Sequence, residues 1–146
     1  MTTMAALLKR KPAALISVPP DSKIREVVAV LAERRIGAVV VQSADNDLLG
    51  ILSERDVVRS LAANGTATLD MATSQLMTRA PTTATLATTI FEAETLMTDG
   101  RFRHLPVVED GKLMGVVSIG DVVKSLIEEQ TQQVRSLRDY VTGAPA

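Results

Sequence analysis

GILSERDVVRSL at Gly50–Leu61 and GVVSIGDVVKSL at Gly115–Leu126 are two copies of one pattern, G-x-x-S-x-x-D-V-V. Each copy stands between an apolar run and a run with helical spacing. A helix-capping signal accounts for the Ser and the Asp, but not for the Gly or for a second copy in the same setting. Working outward, an offset of 66 residues sets Asp21–Leu31 against Ala87–Met97. Ile24 then meets Ile90, Glu26 meets Glu92, Val27 meets Ala93 and Leu31 meets Met97. The same offset sets IGAVVV (Ile36–Val41) against FRHLPV (Phe102–Val107). A one-residue deletion in the following loop brings the two Gly-Ser-Asp segments into register. Self-similarity of this kind marks a chain built from two copies of one unit.

Within each copy the hydrophobic period switches in the same order. Ile24, Val27, Val28 and Leu31 repeat at helix spacing, as do Ile90, Ala93 and Met97. Continuous apolar runs follow, Ala38–Val41 and Leu105–Val108, too short for helices and rich in Val, which predicts buried strands. Turn signals come next, SADND (Ser43–Asp47) and the Asp110-Gly111 pair. Second strands, Leu48–Leu52 and Leu113–Val117, run into the Ser. Helices then start, with Val57, Val58 and Leu61, or Val122, Val123 and Leu126, on the apolar face. Short extended stretches, LISV (Leu15–Val18) and PTTA (Pro81–Ala84), precede each first helix, so the unit reads β-α-β-β-α and the fold class is α/β (α+β). Asn64–Gln75 joins the copies, with turn chemistry at Asn64-Gly65. Helical spacing persists from Glu128 through Val134, Leu137 and Val141, which predicts a last helix that overhangs its unit as a docking or dimerisation surface.

Composition narrows the function. The 146 residues suffice for a core that buries about 70% of the unfolded chain's surface. With 46% hydrophobic residues the chain is not disordered, and with only Phe91, Phe102 and Tyr140 as aromatics it has little material for base stacking. Sixteen basic residues balance seventeen acidic ones, so no global field attracts nucleic acid or an anionic membrane. Lys9-Arg10-Lys11 reads as a solvated helix end. No cysteine excludes disulfide and thiolate chemistry, and no apolar run approaches the roughly 18 residues of a membrane span. MTTMAALLKRK lacks the order of a signal peptide, so a cytoplasmic protein is expected. His104 is the only histidine and, without cysteines, makes no metal site. Neither Ser53 nor Ser118 has a base in sequence support of nucleophilic catalysis. The six methionines read as core fillers.

Two chemistries fit S-x-x-D. As a capping box, Ser53 and Ser118 are N-caps with Asp56 and Asp121 at the third helical position; Glu or Gln is the usual partner there, and Asp is short for the reach back. As a binding element, a strand turning into a helix exposes N–H groups and a positive helix end that suit an anion. A carboxylate one turn further in repels phosphate, yet accepts two hydrogen bonds from a ribose diol, as acidic residues do in dinucleotide folds. Both readings stand at this point.

The repeat order, with IGAVVV…GILSERDVVRSL and RFRHLPVVEDGKLMGVVSIGDVVKSL, resembles tandem CBS domains, named after cystathionine β-synthase. The resemblance runs from about Leu7 to Ser125. The tail VRSLRDYVTG (Val134–Gly143) is similar to that of small stand-alone bacterial CBS pairs. It implies repeats at 7–63 and 73–129, a linker at 64–72 and a helical tail at 130–146, with the repeats packed by pseudo-two-fold symmetry. It further implies two clefts for adenosine-containing ligands such as AMP, ATP, NAD or S-adenosylmethionine. Asp56 and Asp121 would hold ribose hydroxyls, and Ser53 and Ser118 ribose or phosphate. Ile16, Ser17, Thr82 and Thr83 would line adenine, and Pro106 would join the ligand contacts. Arg103-His104, a basic pair before a strand, would reach phosphate from the opposite repeat.

The copies differ at these places. Gly37-Ala38 stands in repeat 1 where repeat 2 has Arg103-His104, and Gly120 stands where repeat 1 has Arg55. The Asp56 cleft is therefore expected to prefer phosphorylated ligands and the Asp121 cleft the adenosine moiety. The resemblance implies a non-catalytic sensor, homodimeric, regulating another protein; the lone histidine, the balanced charge and the short apolar runs argue against a metal, a nucleic-acid partner and a membrane. The alternative is a ligand-free interaction scaffold in which S-x-x-D serves only as helix caps.

Overall fold

The computed structural model describes residues 1–10 and 16–143. In chain order the elements are helix α1 (Met4–Arg10), strand β1 (Ser17–Val18), α2 (Ile24–Arg34), β2 (Ala38–Gln42), β3 (Leu48–Ser53) and α3 (Glu54–Asn64). A 3-10 turn (Gly65–Asp70) and α4 (Thr73–Leu76) lead to β4 (Thr78–Arg79), α5 (Ile90–Gly100), β5 (His104–Glu109), β6 (Lys112–Ser118) and α6 (Ile119–Thr142). The β-α-β-β-α unit occurs in repeat 1 as β1-α2-β2-β3-α3. In repeat 2 the first strand is reduced to a parallel bridge at Ala84. Leu15, of the expected LISV stretch, Lys11, of the basic cluster, and residues 144–146 of the expected tail lie outside the described residues.

The 66-residue offset read in the sequence is kept in the hydrogen-bond register. Val18 pairs with Val41 in parallel, and Ala84 pairs with Val107 in the same way. Both antiparallel hairpins carry an irregularity at matched places, Val41/Gln42 and Val107/Val108. The second hairpin closes at Glu109 and Lys112 over Asp110 and Gly111, whose φ values of 50° and 76° are what a tight two-residue hairpin turn demands. Helices α2 and α5 both stop at an arginine in the left-handed region, Arg35 and Arg101.

Each repeat has its own core. Ile24, Val27 and Leu31 of α2 pack with Val39, Val41, Leu52 and Val57. Ile90, Ala93 and Met97 of α5 pack with Leu105, Val107, Val117 and Val122. Val40 and Pro106 are buried in neither cluster; strand alternation turns them to the opposite sheet face.

The segments that precede the repeats are exchanged. Met4 and Leu7 of α1 are buried in the core of repeat 2, with Met4 N–H donating to Thr88 O at 2.8 Å and Ile90 N–H to Thr2 O at 3.0 Å. The joining segment does the same for repeat 1: Ile24 N–H donates to Met71 O at 2.9 Å and Thr73 N–H to Ser22 O at 2.8 Å. The bridges Thr3–Thr89 and Lys23–Ala72 are equivalent. Residue 7, expected as the start of repeat 1, thus sits spatially in repeat 2, and the expected linker is an ordered clamp on repeat 1. Lys9 and Arg10 form the exposed last turn of α1.

Candidate functional site

Both S-x-x-D segments close complete capping boxes. Ser53 N–H donates to Asp56 Oδ2 at 2.8 Å and Asp56 N–H to Ser53 Oγ at 3.4 Å. In repeat 2 Ser118 N–H donates to Asp121 Oδ2 at 2.8 Å and Asp121 N–H to Ser118 Oγ at 3.1 Å. The expectation that Asp is too short for the reach back is corrected. The cap residues are extended, with φ −110° and ψ 164° at Ser53, which carries their N–H groups over the first helical turn. Capping and binding do not compete for one atom at Asp56. Ser53 Oγ–H also donates to Oδ2, at 3.0 Å, and Oδ1 has no partner among the described residues.

The motif glycines have a packing cause. A Cβ on Gly50 would lie 2.6 Å from Thr78 O and 2.8 Å from Met77 Sδ. One on Gly115 would lie 2.8 Å from Leu8 Cδ2. Leu8 belongs to α1 and Met77 follows the joining segment just after α4, so each glycine is the place where a strand lets the incoming chain pass.

A cavity of about 550 Å³ opens between the repeats around Asp56. From repeat 1 it is lined by Gly37, Ser53, Glu54, Arg55, Asp56 and Arg59, and from repeat 2 by Thr82, Arg101, Phe102, Arg103, His104 and Ser118, among others. Gly37 makes the close approach of the repeats possible, because a Cβ there would lie 2.8 Å from Glu54 Oε1 and 3.1 Å from the His104 ring. Ala80 also lines the cavity, with a φ of 46° immediately before Pro81. A non-glycine residue held in that region costs about 1–2 kcal/mol, the kind of strain that clusters at ligand sites.

Eight of the residues singled out in the sequence thus share one cleft: Gly37, Ser53, Arg55, Asp56, Thr82, Arg103, His104 and Ser118. Ser118, expected beside Asp121 at the other cleft, faces this one. Ile16, Ser17, Ala38, Thr83, Pro106, Gly120 and Asp121 do not line it. Ala38 is paired opposite Ser53, and Ser17 opposite Val40, within the sheet. Pro106 is buried opposite Val116, its carbonyl accepting from Ala84 N–H at 2.9 Å.

Residues that sequence reasoning missed include Glu54, Arg59, Arg101 and Phe102. Arg59 follows Arg55 by one helical turn, a spacing that puts both on one face. Arg101 ends α5, and no sequence signal marked it. Four guanidiniums, those of Arg55, Arg59, Arg101 and Arg103, line the cleft, and among the described residues none has an ion-pair partner. The starts of α3 and α6, at Ser53 and Ser118, add the positive ends of two helices. Such a cleft favours an anion bearing a sugar or another diol. No group of three or more His, Asp or Glu side chains suited to a metal ion occurs among the described residues, and none of their helices is long and apolar enough to cross a membrane.

Comparison with known proteins gives the same organisation. The CBS domain pattern matches residues 9–63 and 73–128. The chain is 33% identical over 127 residues to the mitochondrial CBS domain-containing protein CBSX3 of Arabidopsis thaliana; the match covers 84% of this chain and 62% of that relative's length. The crystal structure of a CBS-domain containing protein from Agrobacterium tumefaciens superposes with a TM-score of 0.81 at 44% identity, covering 84% of this chain and 92% of that one. A CBS domain protein from Pyrobaculum aerophilum, complexed with AMP, superposes at 0.73 with 30% identity, covering 82% and 88%.

Proposed function

The chain belongs to the CBS-domain family, and from that premise we propose that it binds an adenine nucleotide in the cleft around Asp56 and acts as a non-catalytic regulatory module for a partner protein. One observation carries the proposal. An uncommitted carboxylate oxygen on Asp56 shares a cavity with Arg103 and His104 of the opposite repeat. Oδ1 can take a ribose hydroxyl while guanidinium groups take phosphate, a charge-assisted pairing of the stronger kind. The AMP complex of the Pyrobaculum protein supports the same ligand class. ATP, NAD and S-adenosylmethionine share the adenosyl group, and a nucleotide ligand accords with the expected cytoplasmic residence. Asp121 would hold the adenosine moiety at a second cleft with less positive charge.

Readout would run through α6. Its first residue, Ile119, and its cap, Ser118, line the cleft, and its 24 residues make a rod about 36 Å long. Val134, Leu137 and Val141 are exposed near its far end. A ligand that binds one tilt of this helix better than another biases the far end by that difference in affinity. The exposed stripe suits a homodimer contact, and the regulated protein would meet the assembled surface.

A thermal-shift panel of AMP, ADP, ATP, NAD and S-adenosylmethionine on the wild type, Asp56→Ala and Asp121→Ala tests this reading. A ligand at a hundred times its dissociation constant adds about 2.7 kcal/mol, a rise of roughly 5–10 °C. The expected result is a rise with a phosphorylated adenosine that disappears in Asp56→Ala. No rise with any ligand would favour the second reading, an interaction scaffold, for which the complete capping boxes of both repeats speak.

A further inference from the structure

The cleft holds more cation than one phosphate can use. Arg55 and Arg59 stand on one wall, a helical turn apart, which is about 6 Å along α3. Arg101 and Arg103 stand on the other wall, at the end of α5 and before β5. Guanidinium binds phosphate through two parallel N–H groups on two oxygens. A single terminal phosphate has three free oxygens and cannot meet four such forks. Resting on the nucleotide reading above, we infer that the ligand carries a chain of two or more phosphates, an adenosine 5′-di- or triphosphate. Arg59 and Arg101 are the residues that select it over the monophosphate.

The division of labour follows from position. Asp56 and Ser53 mark the sugar end, because the carboxylate repels phosphate and its Oδ2 is already held by Ser53. Arg55 and Arg103 lie next in sequence to Asp56 and His104 and take the first phosphate. Arg59 is one turn further along α3 and takes a later one, together with Arg101 across the cleft. Both side chains belong to exposed residues and are without ion-pair partners among the described residues. Their replacement is expected to leave the fold intact.

Isothermal titration of AMP, ADP, ATP and inorganic tripolyphosphate, in EDTA, into the wild type and into Arg59→Gln/Arg101→Gln tests the inference. ATP is expected to bind the wild type at least tenfold more tightly than AMP. In the double variant ATP is expected to lose at least tenfold while AMP stays within twofold. Tripolyphosphate, lacking the nucleoside, is expected at least tenfold weaker than ATP. Equal or tighter binding of AMP, equal losses of AMP and ATP, or tripolyphosphate binding as tightly as ATP would each overturn the polyphosphate inference while leaving a ligand in the cleft. Binding of none of the four would overturn both this inference and the reading on which it rests. An unchanged melting temperature of the double variant without ligand verifies its fold.

Discussion

Gly50 lies directly beneath Met77, so close that a methyl group on the glycine would stand 2.8 Å from the sulfur and 2.6 Å from the carbonyl oxygen of Thr78. The matched pair in repeat 2 is Gly115 beneath Leu8, where the 2.8 Å contact is to a terminal methyl. A backbone oxygen in a paired strand cannot move aside, whereas the end of a leucine can. Gly50→Ala is therefore expected to destabilise the protein by about 2–3 kcal/mol and Gly115→Ala by about 1 kcal/mol, within the range for overpacked interiors. Urea-denaturation midpoints check the order. Leu8→Ala combined with Gly115→Ala should cost less than the sum of the two single changes, because they relieve the same contact.

On the proposed reading Asp56 caps α3 through one oxygen and holds ligand through the other, and substitutions can separate the two roles. Ser53→Ala removes the acceptor for Asp56 N–H and is expected to cost about 1 kcal/mol of stability. Asp56→Asn keeps an acceptor oxygen for Ser53 N–H and should stay within about 0.5 kcal/mol of the wild type. It replaces a charged acceptor for the ribose hydroxyls by an amide, and nucleotide affinity is expected to fall about tenfold. Chemical denaturation and titration on the same variant check both halves. A large loss of stability with affinity intact would reduce Asp56 to a cap.

Much of the architecture was legible because identical packing problems leave identical spacing. Ile24 and Ile90, Val41 and Val107, Asp56 and Asp121 occupy equivalent places in sequence and in register. The exchange of α1 and the joining segment was not legible. Hydrophobic spacing tells which face is buried, but not which neighbour buries it, so Met4 and Leu7 gave no hint that they belong to repeat 2. The cleft was legible where a motif marked it, at Ser53, Asp56, Arg103 and His104. Arg59 and Arg101 were not, since an arginine on a helix face or at a helix end is ordinary in sequence. It becomes unusual only when two repeats bring four into one cavity.

Asp70 and Arg25 tie the joining segment to α2 through a 2.9 Å ion pair. The hydrogen bond and the charge of Arg25 hold the Asp70 carboxyl below its ordinary value of 3.8. A carboxyl whose folded pKa is depressed contributes stability above its unfolded pKa and loses it as pH falls through the folded value. Arg25→Gln is therefore expected to be slightly less stable than the wild type at pH 6, and the gap should narrow below about pH 4. Both groups are more than half exposed, so the difference is small and shrinks further in salt. Denaturation at pH 6 and pH 3 in low salt is the check, and a gap that widens in acid would contradict the assignment.

Among the described residues nothing buries the far half of α6, whose residues 130–138 are all exposed. The helix buries only Val122 and Ser125, with Leu126 against the core, and beyond these Val134, Leu137 and Val141 are 49%, 65% and 81% exposed. Their spacing of three and four residues places them on one stripe, which Ile127, also exposed, continues toward the body. Covering an apolar stripe is favourable, and a second copy presents an identical one. Val134→Glu with Leu137→Glu sets two carboxylates on each stripe, so paired copies would repel one another. The wild type is expected to run as a dimer in light scattering and the variant as a monomer. The cleft around Asp56, assembled within one chain, should then still bind its proposed ligand. A variant that remains dimeric would move the contact to Val58 and Val123, which are exposed at equivalent positions on α3 and α6.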